Sequence, residues 1–409
     1  MEQFIDWVRN NFSALFPNWR RVSPVSNEQY LLRSNASPQV KAIIKEAMRK
    51  LELEGIKVDK VSRNRAYRMT IRKSFVKVEN QLFSSPLTEQ SGRLSEGPLI
   101  TYKAVKSKAP RLIQGASPEF IAIMGPFFMA VQDMIKKIWS KNFAIYFTSG
   151  ATMNQVSKYI VNPLGHQWFM NDVGAFDSSI CIQWCEFEAE LSKKFGASPL
   201  QVQLYEANNQ THGYSSKGIK YKVLGTRKSG DPMTSVYNSV LNGLMHVFTY
   251  CNQKGISVFQ ALRELRCVVQ GDDNLFRHPG PRVNFRQNIL ELGFDSDSIY
   301  CSTPYDAEFC SSVFYDTVDG LRLGPKMGRV LAKFGYFINP PLNVHPYSIL
   351  RGVAIGLENP ASYVPLLRAL VDRVKFLTRG FDAYYTKHQE FRMAFSRNKL
   401  AVAGGFFER

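Results

Sequence analysis

The chain has 409 residues, 44% hydrophobic and 13% aromatic, enough apolar material to bury a sizeable core and too much for a disordered chain. Lysine and arginine outnumber the acids 52 to 34, giving a formal net charge of +18. That excess points to a polyanionic partner, nucleic acid before a membrane surface, with a merely basic soluble surface as the other explanation.

Residues 1–35 mix aromatics with a Trp19-Arg20-Arg21 stretch and are expected to pack onto a larger body. Residues 1–11 carry charges in an amphipathic pattern, unlike a signal peptide. The spacing of Val40, Ile43, Ile44, Met48 and Leu51 predicts an amphipathic helix over 39–54, closed by Gly55. Residues 57–77 place Arg63, Arg65, Arg68, Arg72 and Lys73 among aromatics, either a solvated basic face or a surface for nucleic acid. Residues 82–98, rich in Ser, Gly and Pro, read as a loop. Lys103, Lys106, Lys108 and Arg111 then form a rail of positive charge ending in a β-prone Arg-Leu-Ile. Such a rail suits a triphosphate, which arginine can grip in a fork, although basic loops are common on so basic a chain. The longest apolar stretch, residues 120–131, contains Gly125-Pro126 and is too short to span a bilayer.

A short apolar strand, residues 168–170, leads to Asp172, and a Gly174-Ala175 turn then brings Phe176 and Asp177. Asp172 at a strand end suits metal binding, while Asp177 equally suits the N-cap of a helix over 178–194. Cys181 and Cys185 are four apart, as packing residues on one helical face would be. The six cysteines and six histidines form no paired metal-ligand pattern, which fits a reducing compartment and argues against structural zinc. Next, Asp231 and Pro232 fit the N-cap and first residue of a helix running to about 251, with Gly255 beyond its end. Thr234 and Asn238 share a face of that helix. Ser229-Gly230 ahead of it allows close backbone approach to a ligand, unless the polar stripe simply faces water.

Residues 266–278 carry the strongest local signal, two apolar runs around Gly271-Asp272-Asp273. This is the pattern of a tight β-hairpin with adjacent carboxylates at its tip, costly unless a cation sits there. A helix over 283–292 follows, ending at Gly293; residues 306–315 and 321–324 resemble a pair of strands. Beyond 326 the pattern turns helical, broken at Pro340-Pro341, with basic amphipathic stretches over 362–376 and 383–395. No internal repeat or low-complexity segment stands out.

In this order, Asp172, the Ser-Gly helix and the Asp-Asp hairpin suit phosphoryl transfer with two divalent cations, Mg²⁺ or Mn²⁺, held by Asp172 and Asp272. Residues 103–310 resemble a viral RNA-directed RNA polymerase of right-hand shape, nearest to the positive-strand, tombusvirus-like enzymes. Asp172-x-x-x-x-Asp177 matches the family's first palm motif, Ser229-Gly230-x-x-x-Thr234-x-x-x-Asn238 the second, and Gly271-Asp272-Asp273 the third. Lys108-Ala-Pro-Arg111-Leu-Ile is similar to the fingers motif that handles the incoming triphosphate, and Glu308-Phe309-Cys310 to the primer-grip hairpin.

The resemblance implies that Asp172 and Asp272 are the principal metal ligands, with Asp273 auxiliary. Asp177 and Asn238 would sense the ribose 2′-hydroxyl, supported by Ser229, Gly230 and Thr234. Lys106, Lys108 and Arg111 would neutralise the triphosphate. Asp177 stands where a reverse transcriptase would be expected to place a bulky aromatic. One departure is clear: the family usually carries a lysine between the hairpin and the primer grip, and residues 277–308 contain none, with Arg282 and Arg286 as the other cations after Arg277. Arginine stays protonated and is a poor proton donor.

The expected architecture is α+β: N-terminal region and fingers over 1–167, palm over 168–189 and 229–319, a fingers insertion over 190–228, and a helical thumb over 320–409. The palm would be an antiparallel sheet with supporting helices. Expected partners are template and product RNA, NTPs and viral or host replication factors, in the host cytoplasm or at membranes through other factors, without a transmembrane segment in the chain. The competing expectations are another palm-type polymerase, such as a reverse transcriptase, and a non-enzymatic basic RNA-binding protein.

Overall fold

The computed structural model describes residues 1–34, 36, 38–54, 66–72, 111–161, 167–215, 220–335 and 342–385. The fold is mixed helix and sheet. The chain divides into two compact units, one of Met1–Thr70, Ile113–Phe314 and Leu321–Leu323, the other of Ile71–Leu112, Tyr315–Gly320 and Gly324–Arg409.

In the first unit, helices α1 (Glu2–Asn10), α2 (Phe12–Leu15), α3 (Asn27–Arg33) and α4 (Pro38–Glu54) come first. As expected, the N-terminal residues pack onto a larger body. Phe4 is fully buried, with its ring 5.2 Å from Trp184 and 5.3 Å from Phe248. Strands β1 (Ala66–Arg72) and β2 (Arg111–Gly115) follow, then the 21-residue α5 (Pro118–Ile138). This helix absorbs the apolar stretch at 120–131, with Pro126 inside it. No described helix is long and apolar enough to cross a membrane.

The elements around the centre are β3 (Ile145–Phe147), α6 (Met153–Ile160), β4 (Gln167–Val173), α7 (Phe176–Ser179), α8 (Ile182–Phe195), α9 (Pro199–Ala207), β5 (Gln210–Ser215) and β6 (Lys220–Leu224). They continue with α10 (Thr234–Lys254), α11 (Val258–Glu264), β7 (Arg266–Gln270), β8 (Asp273–His278), α12 (Phe285–Glu291), β9 (Ser296–Cys301), β10 (Glu308–Phe309), β11 (Ser312–Tyr315) and β12 (Arg322–Pro325). The main sheet has the order β3-β7-β8-β4-β9. It is not wholly antiparallel, since β3 runs parallel to β7. Helix α10 is buried on every side from Val236 to Cys251 and packs on β7 and β8, so its polar side chains need partners inside the protein.

Several boundaries differ from those the sequence predicts. The helix expected over 178–194 is two pieces, α7 and α8, because the chain turns extended at Ile180; Asp177 lies inside α7 and caps nothing. Helix α10 starts at Thr234 rather than Pro232 and has no side-chain cap. Asp231 instead accepts from Asn208 Nδ2 at 2.7 Å. Strand β4 runs through Asp172 instead of ending before it. Residues 306–315 are not a single strand but hold the β10–β11 hairpin, and β9 was not foreseen.

The second unit contains α13 (Met327–Lys333), α14 (Pro346–Leu357) and α15 (Pro365–Leu377). Ala354, Ala361, Val364, Leu367, Val371 and Val374 form its core, and Arg351 donates to the Lys375 carbonyl at 2.9 Å. The helix expected over 362–376 is α15; the Pro340-Pro341 break and most of the stretch 383–395 lie outside the described residues, as do the segment 82–98 and much of 57–77.

Candidate active site

Strands β7 and β8 pair with Gln270 opposite Asp273, leaving Gly271 and Asp272 as a tight turn. Gly271 has φ 65°, a value that costs glycine nothing and that two-residue hairpin turns require at their first central position. The tip is therefore Asp272, and Asp273 is already the first residue of β8. Both are exposed.

Helix α10 holds this turn from below. Ser239 Oγ accepts from Gly271 N–H at 2.7 Å, and Asn242 Nδ2 donates to the carbonyls of Gly271 and Asp272 at 3.0 and 2.8 Å. Gln270 Nε2 reaches Ser235 Oγ at 3.3 Å. Ser235, Ser239 and Asn242 stand at i, i+4 and i+7, on one helical face. The turn is thus tied by its main chain, while Asp272 and Asp273 themselves stay exposed.

Strand β4 lies beside β8, paired from Gln167 to Phe169. Beyond that point the side chain of Asn274 continues the pairing, accepting from Asn171 N–H at 3.2 Å and donating to Asn171 C=O at 2.9 Å. Asp172 follows at once, exposed, with Asp297 of β9 as its cross-strand partner. Opposed residues share a face of an antiparallel pair, so these like charges repel.

Asp177 sits a few residues on, in α7. Its Oδ1 accepts from Asn238 Nδ2 at 2.8 Å, while Asn238 Oδ1 accepts from Arg227 Nε at 2.9 Å. Arg227 in turn forms a buried fork with Glu188, donating from Nη1 at 2.8 Å and also from Nη2. Burial by itself would discharge the guanidinium, but the Glu188 carboxylate more than offsets this and raises the Arg227 pKa. Thr234 Oγ1 donates to the Lys228 carbonyl at 2.5 Å, which ties the loop of Ser229 and Gly230 to the start of α10. Ser229 and Gly230 are exposed.

Glu308 and Phe309 form β10, paired with Val313 and Ser312 of β11. Phe309 is buried in a cluster with Trp168, Val268, Leu275 and Phe314. Cys310 and Ser311 make the turn at φ 48° and 62°, left-handed values that strain any residue but glycine. Burial pushes the Cys310 thiol pKa up, helped by the charge of Asp273 and a hydrogen bond to it. The primer-grip candidates therefore meet the hairpin through Cys310 and Asp273. The triphosphate candidates are not brought to it: Lys106 and Lys108 lie outside the described residues, and Arg111 opens β2 with its side chain also outside them.

The arginines that follow the hairpin are engaged elsewhere. Arg277 is buried, donates to the carbonyls of Ile160 and Val161 at 2.7 and 2.6 Å, and covers the end of α6. Arg282 lies 5.1 Å over the Tyr300 ring, and Arg286 pairs with Asp295 at 3.6 Å.

As a cation site, Asp172, Asp272 and Asp273 offer oxygen donors only, which suits Mg²⁺ or Mn²⁺. Among the described residues no group of three or more His, Cys, Asp or Glu is gathered closely enough to hold a metal ion. The residues fit an ion held by one or two carboxylates, with water and substrate phosphate completing its shell, as magnesium commonly is.

Sequence reasoning missed the tethers. Ser235, Ser239 and Asn242 carried a readable signal, a polar line on an otherwise apolar helix. Arg227 with Glu188, Asn171 with Asn274, and Asp297 carried none, because each depends on how distant segments meet.

The chain is similar in sequence to several viral proteins. The chain is 24% identical over 192 residues to the RNA-directed RNA polymerase of Groundnut rosette virus (strain MC1), covering 44% of the chain and 23% of that protein. It is 20% identical over 315 residues to the RNA-directed RNA polymerase of Oat chlorotic stunt virus (isolate United Kingdom), covering 71% of the chain and 36% of that protein. A segment of 120 residues, 26% of the chain, is 29% identical to 6% of the genome polyprotein of Avian encephalomyelitis virus (strain L2Z). The chain thus spans well under two thirds of each of these relatives. Residues 100–359, more than half the chain and inclusive of every element of the site above, match the sequence pattern of the viral RNA-dependent RNA polymerases, and the chain belongs to that family.

Proposed function

We propose that this chain carries out RNA-templated RNA synthesis, adding ribonucleoside monophosphates to an RNA 3′-end and releasing pyrophosphate. One observation carries the reading: Asp172 and the Gly271-Asp272-Asp273 turn stand on strands coupled through Asn171 and Asn274, and Asp177, five residues after Asp172, is joined to Asn238 by a hydrogen bond. A basic RNA-binding protein has no use for that arrangement.

In this reading strands β4, β7, β8 and β9, with α10 and the first half of α8, form the palm of a right-hand polymerase over 168–189 and 229–319, while β3 belongs to the preceding region. Residues 1–167 and 190–228 supply the N-terminal region and fingers, and 320–409 the thumb. Asp172 and Asp272 hold two divalent ions, Mg²⁺ or Mn²⁺, with Asp273 auxiliary. With ions held there, this carboxylate site would supply Lewis-acid activation of the 3′-hydroxyl and charge neutralisation for the leaving pyrophosphate. The turn, fixed by Ser239 and Asn242, keeps Asp272 in place without reorganisation. Asp177 and Asn238 receive the ribose hydroxyl; a sugar lacking it leaves them unpaired, which is how a polar site rejects an analogue. Ser229, Gly230 and Thr234 shape the loop beside them, Lys106, Lys108 and Arg111 bind the triphosphate, and Glu308, Phe309 and Cys310 support the growing end. Template and product RNA and NTPs are the ligands. The protein would act in the host cytoplasm, and at membranes through replication factors of virus or host.

The test is primer extension by purified protein on a short RNA with NTPs and Mg²⁺ or Mn²⁺. Template-dependent product is expected, and Asp272→Ala should lower its rate by at least about a hundredfold. Undiminished synthesis by Asp272→Ala would refute the catalytic assignment, and dNTP use as efficient as NTP use would favour a reverse transcriptase.

A further inference from the structure

We propose that Arg227, gripped by Glu188, is a positioning residue for sugar selection, setting the side-chain amide of Asn238 so that it donates to Asp177. The inference rests on the polymerase reading above and adds to it the group that decides which way Asn238 faces.

The chemistry leaves one orientation. A guanidinium has donors and no acceptor, so the Asn238 atom that meets Arg227 Nε at 2.9 Å is Oδ1. Nδ2 then faces Asp177 Oδ1, at 2.8 Å. With the amide reversed, Oδ1 would confront a carboxylate and Nδ2 a cation, so both contacts would turn repulsive. In the observed orientation the second oxygen of Asp177 is left to accept from a ribose hydroxyl.

Arg227 is itself immobilised from both ends. Its fork closes on Glu188, Tyr205 donates its hydroxyl to the same carboxylate, and the paired side chains are 4% and 0% exposed. Its main chain is docked on the segment that carries Asp177: Arg227 N–H donates to Asp177 C=O and Thr226 N–H to Ile180 C=O, each at 2.7 Å. Gly225 and Thr226 reach that geometry with φ 75° and 63°, and a Cβ on Gly225 would lie 3.1 Å from the Ile180 carbonyl oxygen. Stability alone does not account for this construction. A buried ion pair repays little beyond its desolvation cost, and apolar residues of similar volume commonly serve as well. Held strain around a polar network is typical of a geometry kept for function.

The experiment measures kcat/KM for a matched NTP and its dNTP in primer extension, with Arg227→Lys, Glu188→Gln, Asn238→Ala and the double variant Arg227→Lys/Asn238→Ala, each checked for folding by thermal melting. Lysine keeps the charge but cannot serve Glu188 and Asn238 with one planar fork. The NTP preference is expected to fall about tenfold in Arg227→Lys, mainly through better use of dNTP, and by a smaller factor in Glu188→Gln. Once Asn238 is alanine, adding Arg227→Lys should change the preference no further. Should Arg227→Lys fail to fold, Glu188→Gln decides by the same ratio. An unchanged ratio in a folded variant, an additive double variant, or loss of folding in both single variants at the pair would overturn the proposal and leave the pair a purely structural one. Absence of synthesis by the unmodified protein would instead sink the polymerase reading itself, so the two failures are distinguishable.

Discussion

The side chain of Asn274 replaces a peptide group opposite Asn171, taking both its N–H and its C=O at 3.2 and 2.9 Å. Each asparagine is the neighbour of a candidate ligand, Asp172 on one strand and Asp273 on the other. The ladder between β4 and β8 has stopped at Phe169 by then, so the amide couples the two strands while letting them part. Asn274→Ala leaves two buried backbone groups of Asn171 unsatisfied and is expected to cost about 2–4 kcal/mol of stability. Urea denaturation reads this directly. A loss below about 0.5 kcal/mol would mean that water takes over the role of the amide.

Asn242 holds the turn by its amide nitrogen, while its Oδ1 accepts from Asn274 Nδ2 at 3.3 Å. With Asn242→Ala the carbonyls of Gly271 and Asp272 lose their shared donor, although Ser239 still holds Gly271 N–H. Nucleotide binding should persist while the turnover number falls about tenfold or more, because a misplaced carboxylate harms the transition state more than the ground state. Steady-state kinetics with varied NTP separate the two. A raised KM at unchanged kcat would place Asn242 in substrate binding instead.

Asp172 and Asp297 face each other across β4 and β9. Their repulsion costs stability when no cation is bound, so Asp297→Asn should stabilise the protein in EDTA by roughly 0.5 kcal/mol. With millimolar Mg²⁺ that advantage should shrink or reverse if the ion screens the pair. Thermal melts with and without Mg²⁺ provide the comparison. An advantage that does not change with Mg²⁺ would argue that no ion approaches Asp172 from that side.

The legible parts of this protein were those whose chemistry is local. Gly271-Asp272 between two apolar runs specifies a hairpin by itself, and the one-turn spacing of Thr234 and Asn238 puts them on one face of α10. The start of α10 was misread because Asp231, an apt N-cap, bonds Asn208 instead. The break between α7 and α8 was missed because Ala175 enters α7 at φ 52° and Ile180 leaves it extended, neither of which those residue types announce. Glu188 and Arg227 are 39 positions apart, and only packing shows that they are partners. Strand β9 hides in Ser-Asp-Ser-Ile-Tyr-Cys, which has no clean apolar alternation, and with it went the register that sets Asp297 against Asp172.

His246 makes stability depend on pH, and its sign follows from where it sits. The ring is fully buried among Phe169, Phe276 and Phe285. Its Nδ1 lies 2.7 Å from the Asn242 carbonyl, so that nitrogen carries the proton, and Nε2 is buried without a hydrogen-bond partner among the described residues. Burial pushes its pKa down from 6.5 to about 4, against a smaller opposing effect of the Asn242 carbonyl. The unfolded chain therefore takes up a proton at a higher pH than the folded one. The contribution of His246 is complete above pH 6.5, declines as pH falls, and is exhausted below about 4. Over that window the loss amounts to about 3 kcal/mol. Carboxylates add their own acid dependence, so the measurement is a difference: unfolding free energy from pH 7 to 4, for the unmodified protein and for His246→Phe, whose ring suits the same aromatic cage. The variant should lose less stability on acidification by about that amount. Parallel curves for the two proteins would show that the imidazole is protonated inside the fold, and that the cage admits a charge.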